Sequence, residues 1–165
     1  MRVLGIDPGS QITGFGVIDV DGPEFIHVHS GTIRLTAAPL SDRLGRIHNE
    51  LSEIIAATQP LVMAVEKVFM ARNAQSALVL GQARGAAIVA GVDAGLEIAE
   101  YTALQIKQAV VGRGNAAKQQ VQHMVRALVG LQEPITSDRA DALACAICHA
   151  NTARGRQRLL AGVVQ

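Results

Sequence analysis

The hydrophobic pattern changes period along the chain, and each change marks an element. Val3, Leu4 and Ile6 form a short run of strand-forming residues that ends at Asp7 and is broken at once by Pro8-Gly9. Asp7 is therefore expected at the carboxyl end of a first strand, the edge where open α/β sheets keep their chemistry. Thr13 to Val20 reads as a second strand, Asp21-Gly22 as a hairpin turn and Glu24 to Arg34 as a third strand, which together make an antiparallel meander. From Leu40 to Thr58 the period lengthens: Leu40, Leu44, Ile47, Leu51, Ile54 and Ile55 recur at three and four, one face of a helix stopped by Gln59-Pro60. Leu61 to Glu66 is a continuous apolar run, the mark of a central strand buried on both faces, and it too ends on a carboxylate.

Ala74 to Val92 reads as a helix rich in small residues, with Ala74, Ala77, Gly81 and Gly85 on one stripe. Such a stripe lets another backbone approach, either the sheet or a second copy of the helix. Leu96 to Tyr101 is a fifth strand, and Thr102 with Gln105 forms a capping box for the helix that follows. Gly112 to Asn115 interrupts, with Asn115 the predicted cap of a helix from Ala116 to Val129. A loop around Pro134 leads to a last helix, Asp138 to His149, and a basic, mobile tail is expected over residues 151–165. The order predicts an α/β fold: a five-stranded mixed sheet, three antiparallel strands then two parallel, flanked by helices in one domain over residues 1–150.

A length of 165 residues with 49% hydrophobic content suits one domain with a full core. The net charge of +1 is unevenly distributed: residues 1–100 carry 7 Lys/Arg against 11 Asp/Glu, whereas residues 101–165 carry 8 against 3. The basic half could meet a polyanion. No basic-then-apolar leader precedes the first strand and no apolar run approaches the roughly 18 residues of a membrane span, so a cytoplasmic location is expected. Cys145 and Cys148 have C-x-x-C spacing but sit mid-helix without further ligands, and read as reduced packing residues. His27 and His29 alternate with Val28, which would put both on one face of the third strand, as solvent-facing residues.

Four acids carry the chemistry. Asp7 and Glu66 end adjacent central strands, and Asp138 and Asp141 share the first-turn face of the last helix. An acid near a helix amino terminus offsets the macrodipole, which accounts for one of that pair; two on one face repel, which makes more sense with a cation between them. Four carboxylates in a nest suit Mg²⁺ or Mn²⁺, and two such ions support phosphodiester hydrolysis by activating water and stabilising the leaving oxygen. Phe69, with Lys67 and Arg72 beside it, could stack on a base and hold phosphates, though a Phe packed beneath a loop explains it equally well. Lys107, Lys118, Arg72 and the tail residues Arg154, Arg156 and Arg158 could hold a nucleic-acid backbone near the metals.

The segments G-I-D-P-G-S (Gly5 to Ser10), V-E-K-V-F-M-A-R-N-A (Val65 to Ala74), L-G-Q-A-R-G-A (Leu80 to Ala86) and A-D-A-L-A (Ala140 to Ala144), in this order, resemble the RuvC family of bacterial Holliday-junction resolvases, within the ribonuclease H-like superfamily. The resemblance runs to about Ala150. It implies a homodimeric crossover junction endodeoxyribonuclease that makes paired, symmetric nicks in a four-way DNA junction, working in recombination and repair with the RuvA and RuvB branch-migration proteins. By the same resemblance Asp7, Glu66, Asp138 and Asp141 are metal-binding catalytic acids, Lys107 and Lys118 act at the DNA, and Phe69 contacts junction bases. Two rivals stand beside it. An actin-like ATPase or sugar kinase shares a similar G-I-D-x-G strand but needs a second domain; a junction-binding module without catalysis has no reason to keep like charges buried together.

Overall fold

The computed structural model describes residues 1–35, 37–68 and 73–162, without the side chains of 158 and 160–162. Five strands, β1 (Arg2–Asp7), β2 (Ile12–Asp21), β3 (Glu24–Arg34), β4 (Val62–Glu66) and β5 (Glu97–Tyr101), form one sheet in the order β3-β2-β1-β4-β5. β1, β2 and β3 pair antiparallel, and β4 and β5 join parallel beyond β1, as the pattern predicts.

Helices cover both faces. α1 (Leu40–Thr58) and α2 (Ala74–Asp93) lie on one side, where Leu4, Ile6, Met63 and Val65 pack with Ile47, Leu51, Ala83 and Ala87. α3 (Ala103–Val111), α4 (Lys118–Leu128) and α5 (Ser137–Gly162) lie on the other, where Val3 and Ala64 meet Ile106, Val121, Leu143 and Ile147. The alternation along β1 and β4 thus feeds two cores, which is why both strands read as unbroken apolar runs.

α5 lies directly on the sheet. Every residue from Ala142 to Ala150 is buried, and the helix rests against strand positions without side chains. A Cβ added at Gly5 would stand 2.0 Å from the Ala142 carbonyl oxygen, and one at Gly14 would stand 2.1 Å from that of Asp138.

Three expectations are corrected. The chain does not leave the fold as a tail at residue 151: α5 continues to Gly162, so the boundary at 150 falls inside a helix. The segment holds good helix formers and no proline, Asn151 Nδ2 donates to the Ala109 carbonyl at 3.0 Å, and the Arg154 guanidinium lies 4.5 Å from the Phe25 ring centroid. Asn115 does not cap α4, which starts later, at Lys118, with the Ala117 N–H donating to Gln120 Oε1 at 3.1 Å. His27 and His29 do not share a face, because the β2–β3 register slips so that Val17 pairs with His29 and Ile18 with His27. This bulge turns His29 onto Phe15, ring centroids 5.1 Å apart, while His27 reaches Ser30, which also accepts from Arg139 of α5.

The seat of α5 predicts opposite signs for two glycine substitutions. Gly5→Ala forces the helix off β1 and is expected to cost about 2 kcal/mol or more, a fall in Tm of roughly 5 °C. Gly45→Ala, on α1 with open space around it, is expected to gain about 0.5–1 kcal/mol from helix propensity. Thermal melts of the two variants check both signs.

Candidate active site

Register brings the first two acids together. β1 and β4 run parallel with Gly5 opposite Ala64 and Ile6 opposite Val65, so the next step sets Asp7 beside Glu66. Strands in a sheet lie about 4.8 Å apart. Asp7 has the parity of Val3 and Gly5, and Glu66 that of Ala64, so both side chains emerge on the α5 face.

The other two acids arrive from above. Asp7 pairs with Gly14 across β1 and β2, and the Asp138 backbone rests on Gly14. Asp141 follows one turn later, where Ser137 Oγ donates to its Oδ2 at 3.3 Å. The Lys118 ammonium, from the first turn of α4, stands 3.0 Å from the same oxygen. A cleft of about 190 Å³ opens beside the acids, lined by Glu66, Lys107, Lys118 and Asp141 with Ala103, Ile106 and Val121.

The electrostatics reflect this crowding. Burial, then the charges of Glu66, Asp141 and Asp138, push the Asp7 carboxyl up to about 8, with Lys118 opposing. Burial and Asp141 raise Glu66 as well, against Lys118 and Lys107. The hydrogen bond to Asp141, and the negative charge around it, hold Lys118 above the usual ammonium range. An all-oxygen donor set in which Asp7 and Glu66 are held towards the protonated form fits a hard divalent cation, which removes the repulsion. Among the described residues, no group of three His, Cys, Asp or Glu side chains is gathered as a finished metal site; one oxygen of Asp141 is engaged by Lys118 instead.

All four predicted acids thus face one region, with Lys107 and Lys118 at its rim. Phe69 and Arg72 lie outside the described residues, as does the Arg158 side chain. Arg154 stands away from this region: it packs on Phe25 and donates to the Glu24 carbonyl, at the end of the sheet opposite Asp7 and Glu66. Cys145 and Cys148 are buried free thiols, and burial pushes both above the ordinary thiol range.

Sequence reasoning missed three supporting residues. Arg84 of α2 donates from Nε to the Glu66 carbonyl at 3.2 Å and pairs with Glu100 of β5. Its position in L-G-Q-A-R-G-A gave no sign of that reach. Buried Thr13 exchanges hydrogen bonds with the Gly9 backbone, N–H to Oγ1 at 3.4 Å and Oγ1 to carbonyl at 3.3 Å, which braces the turn after Asp7. Ser137 could have been found, since it stands four residues before Asp141 on a helix.

The family profile described as crossover junction endodeoxyribonuclease RuvC matches residues 3–149. The chain belongs to this family. It is 57% identical over 164 residues to the crossover junction endodeoxyribonuclease RuvC of Geobacter metallireducens, covering 99% of each chain. Its fold resembles the RuvC structure of Thermus thermophilus with a TM-score of 0.86 at 40% identity, covering 93% of this chain and 96% of that one. It also resembles T. thermophilus RuvC in complex with a Holliday junction substrate, with a TM-score of 0.85 at 38% identity and the same coverage. The five-stranded mixed sheet is thus that of a RuvC, ribonuclease H-like nuclease, and the chain is an endodeoxyribonuclease of the crossover-junction class.

The raised Asp7 carboxyl sets a pH dependence. Folded Asp7 keeps its proton to about pH 8, whereas an ordinary aspartate gives it up near 3.8; without metal the protein therefore loses stability from this group as pH rises between those values. Asp7→Asn escapes that loss. Melts in chelator are expected to show the variant gaining on wild type by roughly 7 °C more at pH 8.5 than at pH 5.5; a pH-independent difference would contradict the assignment.

Proposed function

We propose that the protein resolves four-way (Holliday) DNA junctions as a homodimer, cutting two strands of like polarity symmetrically through metal-dependent phosphodiester hydrolysis. The observation that carries this is the convergence of Asp7, Glu66, Asp138 and Asp141 on one face of the sheet in a chain of the RuvC family. The family is one of metal-dependent nucleases; Mg²⁺, as two ions with Mn²⁺ as a substitute, is our finer reading. Asp7 and Glu66 would hold the metal from the sheet and Asp138 and Asp141 from α5. Bound there, the ions would lower the pKa of a water and stabilise the leaving oxygen.

The chain's own residues supply the rest. The buried floor around Asp7 keeps bulk water from the carboxylates, which strengthens their hold on a cation. Lys107 and Lys118 would hold the phosphate backbone at the rim. Phe69 and Arg72, in the segment directly after the Glu66 strand, would meet unpaired bases and phosphates at the crossover. One catalytic domain, with α5 running on past residue 150, serves these roles, in the cytoplasm, with RuvA and RuvB as partners in branch migration and repair.

A junction has approximate two-fold symmetry, and two equal sites on a C₂ dimer match it. α2 supports that reading. Gly81 and Gly85 face open space and not the sheet, while Leu78, Val89 and Val92 on the same stripe are 64%, 49% and 56% exposed. Val89→Glu is expected to shift sedimentation from dimer to monomer and to cost at least about tenfold in paired cutting. A variant that stays dimeric places the contact elsewhere.

An end-labelled four-way junction and a linear duplex of the same sequence, each with Mg²⁺ or chelator, test the activity. Symmetric nicks in the junction alone are expected, lost in chelator and reduced by about 10³-fold or more in Asp7→Asn while gel-shift binding persists. Binding without cutting in Mg²⁺ or Mn²⁺ would instead make this a junction-binding module.

A further inference from the structure

The two lysines at the acid cleft are not equivalent. Lys107, on α3, lines the cleft but makes no ion pair among the described residues. Lys118, on α4, puts its ammonium 3.0 Å from Asp141 Oδ2, an oxygen that also accepts from Ser137 Oγ. Asp7 and Asp138 face it as well, and its charge is also felt at Glu66, so all four carboxylates interact with this one side chain. It is otherwise largely exposed, with 64% of its surface in solvent. A long side chain that could extend into water is instead turned back onto the acids.

A divalent ion and this ammonium compete at Asp141, directly for the lone pairs of Oδ2 and through cation–cation repulsion if the ion takes the other oxygen. An oxygen already accepting two hydrogen bonds cannot ligate a cation until one donor leaves. What draws Lys118 inward is the uncompensated negative charge of the acids, which a divalent metal offsets more fully. We propose that Lys118 is a tethered counter-cation of the carboxylate cluster: its ammonium holds Asp141 in the metal-free protein, is displaced when a divalent ion binds, and is thereby released towards a substrate phosphate. The proposal rests on the reading of the four acids as metal ligands and goes beyond it, since a residue that only contacts DNA has no reason to compete with the metal.

Displacement couples two binding events. Metal makes the ammonium available to the backbone, and backbone that captures it leaves Asp141 open to metal, so each ligand strengthens the other by the same factor.

The test is Mn²⁺ binding to the full-length protein without DNA, read from the paramagnetic resonance signal of unbound Mn²⁺ at constant pH and ionic strength. Lys118→Met is expected to bind Mn²⁺ about fivefold or more tightly than wild type, although it removes a residue placed at the DNA. Lys118→Gln should follow it, and Lys118→Arg should stay within about twofold of wild type. Lys107→Met should change the affinity by less than about twofold, because its charge is not seated on an acid. Unchanged or weaker binding in both neutral Lys118 variants overturns the proposal, as does equal tightening in Lys107→Met, which would reduce the effect to net charge. Glu66→Gln separates the two readings. If it loses Mn²⁺ while the Lys118 variants fail to tighten, only the counter-cation fails; if it binds as wild type does, the metal-ligand assignment falls and the proposal with it.

Discussion

The close approach of α5 to the sheet is the constraint on which the rest depends. A helix normally stands off a sheet by the thickness of two layers of side chains. Here Gly5 and Gly14 offer none, and Ala142 and Ala146 answer with the smallest side chain on the helix. The backbone of α5 therefore settles onto β1 and β2, and its first turn, with Asp138 and Asp141, is carried down to the level of Asp7 and Glu66. Larger residues at these strand positions would leave the same four acids in the chain and lift two of them away from the other two.

Packing of this kind works against electrostatics. The apolar contacts of Val3, Ala64, Leu143 and Ile147 draw α5 onto the sheet regardless of charge, and the acids come together because their scaffold does. The repulsion is not removed by folding; it is partly neutralised by protonation of Asp7 and partly by Lys118. A site built this way is held at a cost that a bound cation would relieve, so the affinity for divalent metal proposed for it would follow from core packing some distance away.

Much of this was legible in the sequence, for reasons that differ by residue. The strands and α1 announced themselves by period, and the ends of β1 and β4 by a carboxylate closing an apolar run. The inward face of Asp7 and Glu66 follows from alternation once the helices are placed. Other features lacked a local signal. The bulge that separates His27 from His29 depends on how β3 pairs with β2, which no run of alternating residues reveals. The extension of α5 past Ala150 depends on anchors from elsewhere, Phe25 under Arg154 and the Ala109 carbonyl under Asn151. A basic, glycine-containing stretch without apolar periodicity reads as a tail until those contacts are known. The small-residue stripe of α2 left two partners open, and geometry removed one: Gly81 and Gly85 look outward, while Ala83, Ala87 and Ala90 face the sheet.

The two faces of the sheet divide the work, and Arg84 joins them. The face covered by α3, α4 and α5 holds the acids and the lysines; the face covered by α1 and α2 holds no part of that cluster and carries the exposed stripe read here as the dimer contact. Arg84 projects from α2 to the carbonyl of Glu66, the last residue of β4, and to Glu100 on the neighbouring strand. Past its last ladder partner a strand end is free to fray unless something takes up its carbonyl. Here that partner comes from the helix whose other side would meet a second copy. A shift of α2 on dimerisation would therefore be felt at the backbone of Glu66 through one guanidinium, without passing through the core. In the proposed dimer, two sites cutting together would be better served by such a direct connection than by a contact surface and an active site that share only a fold.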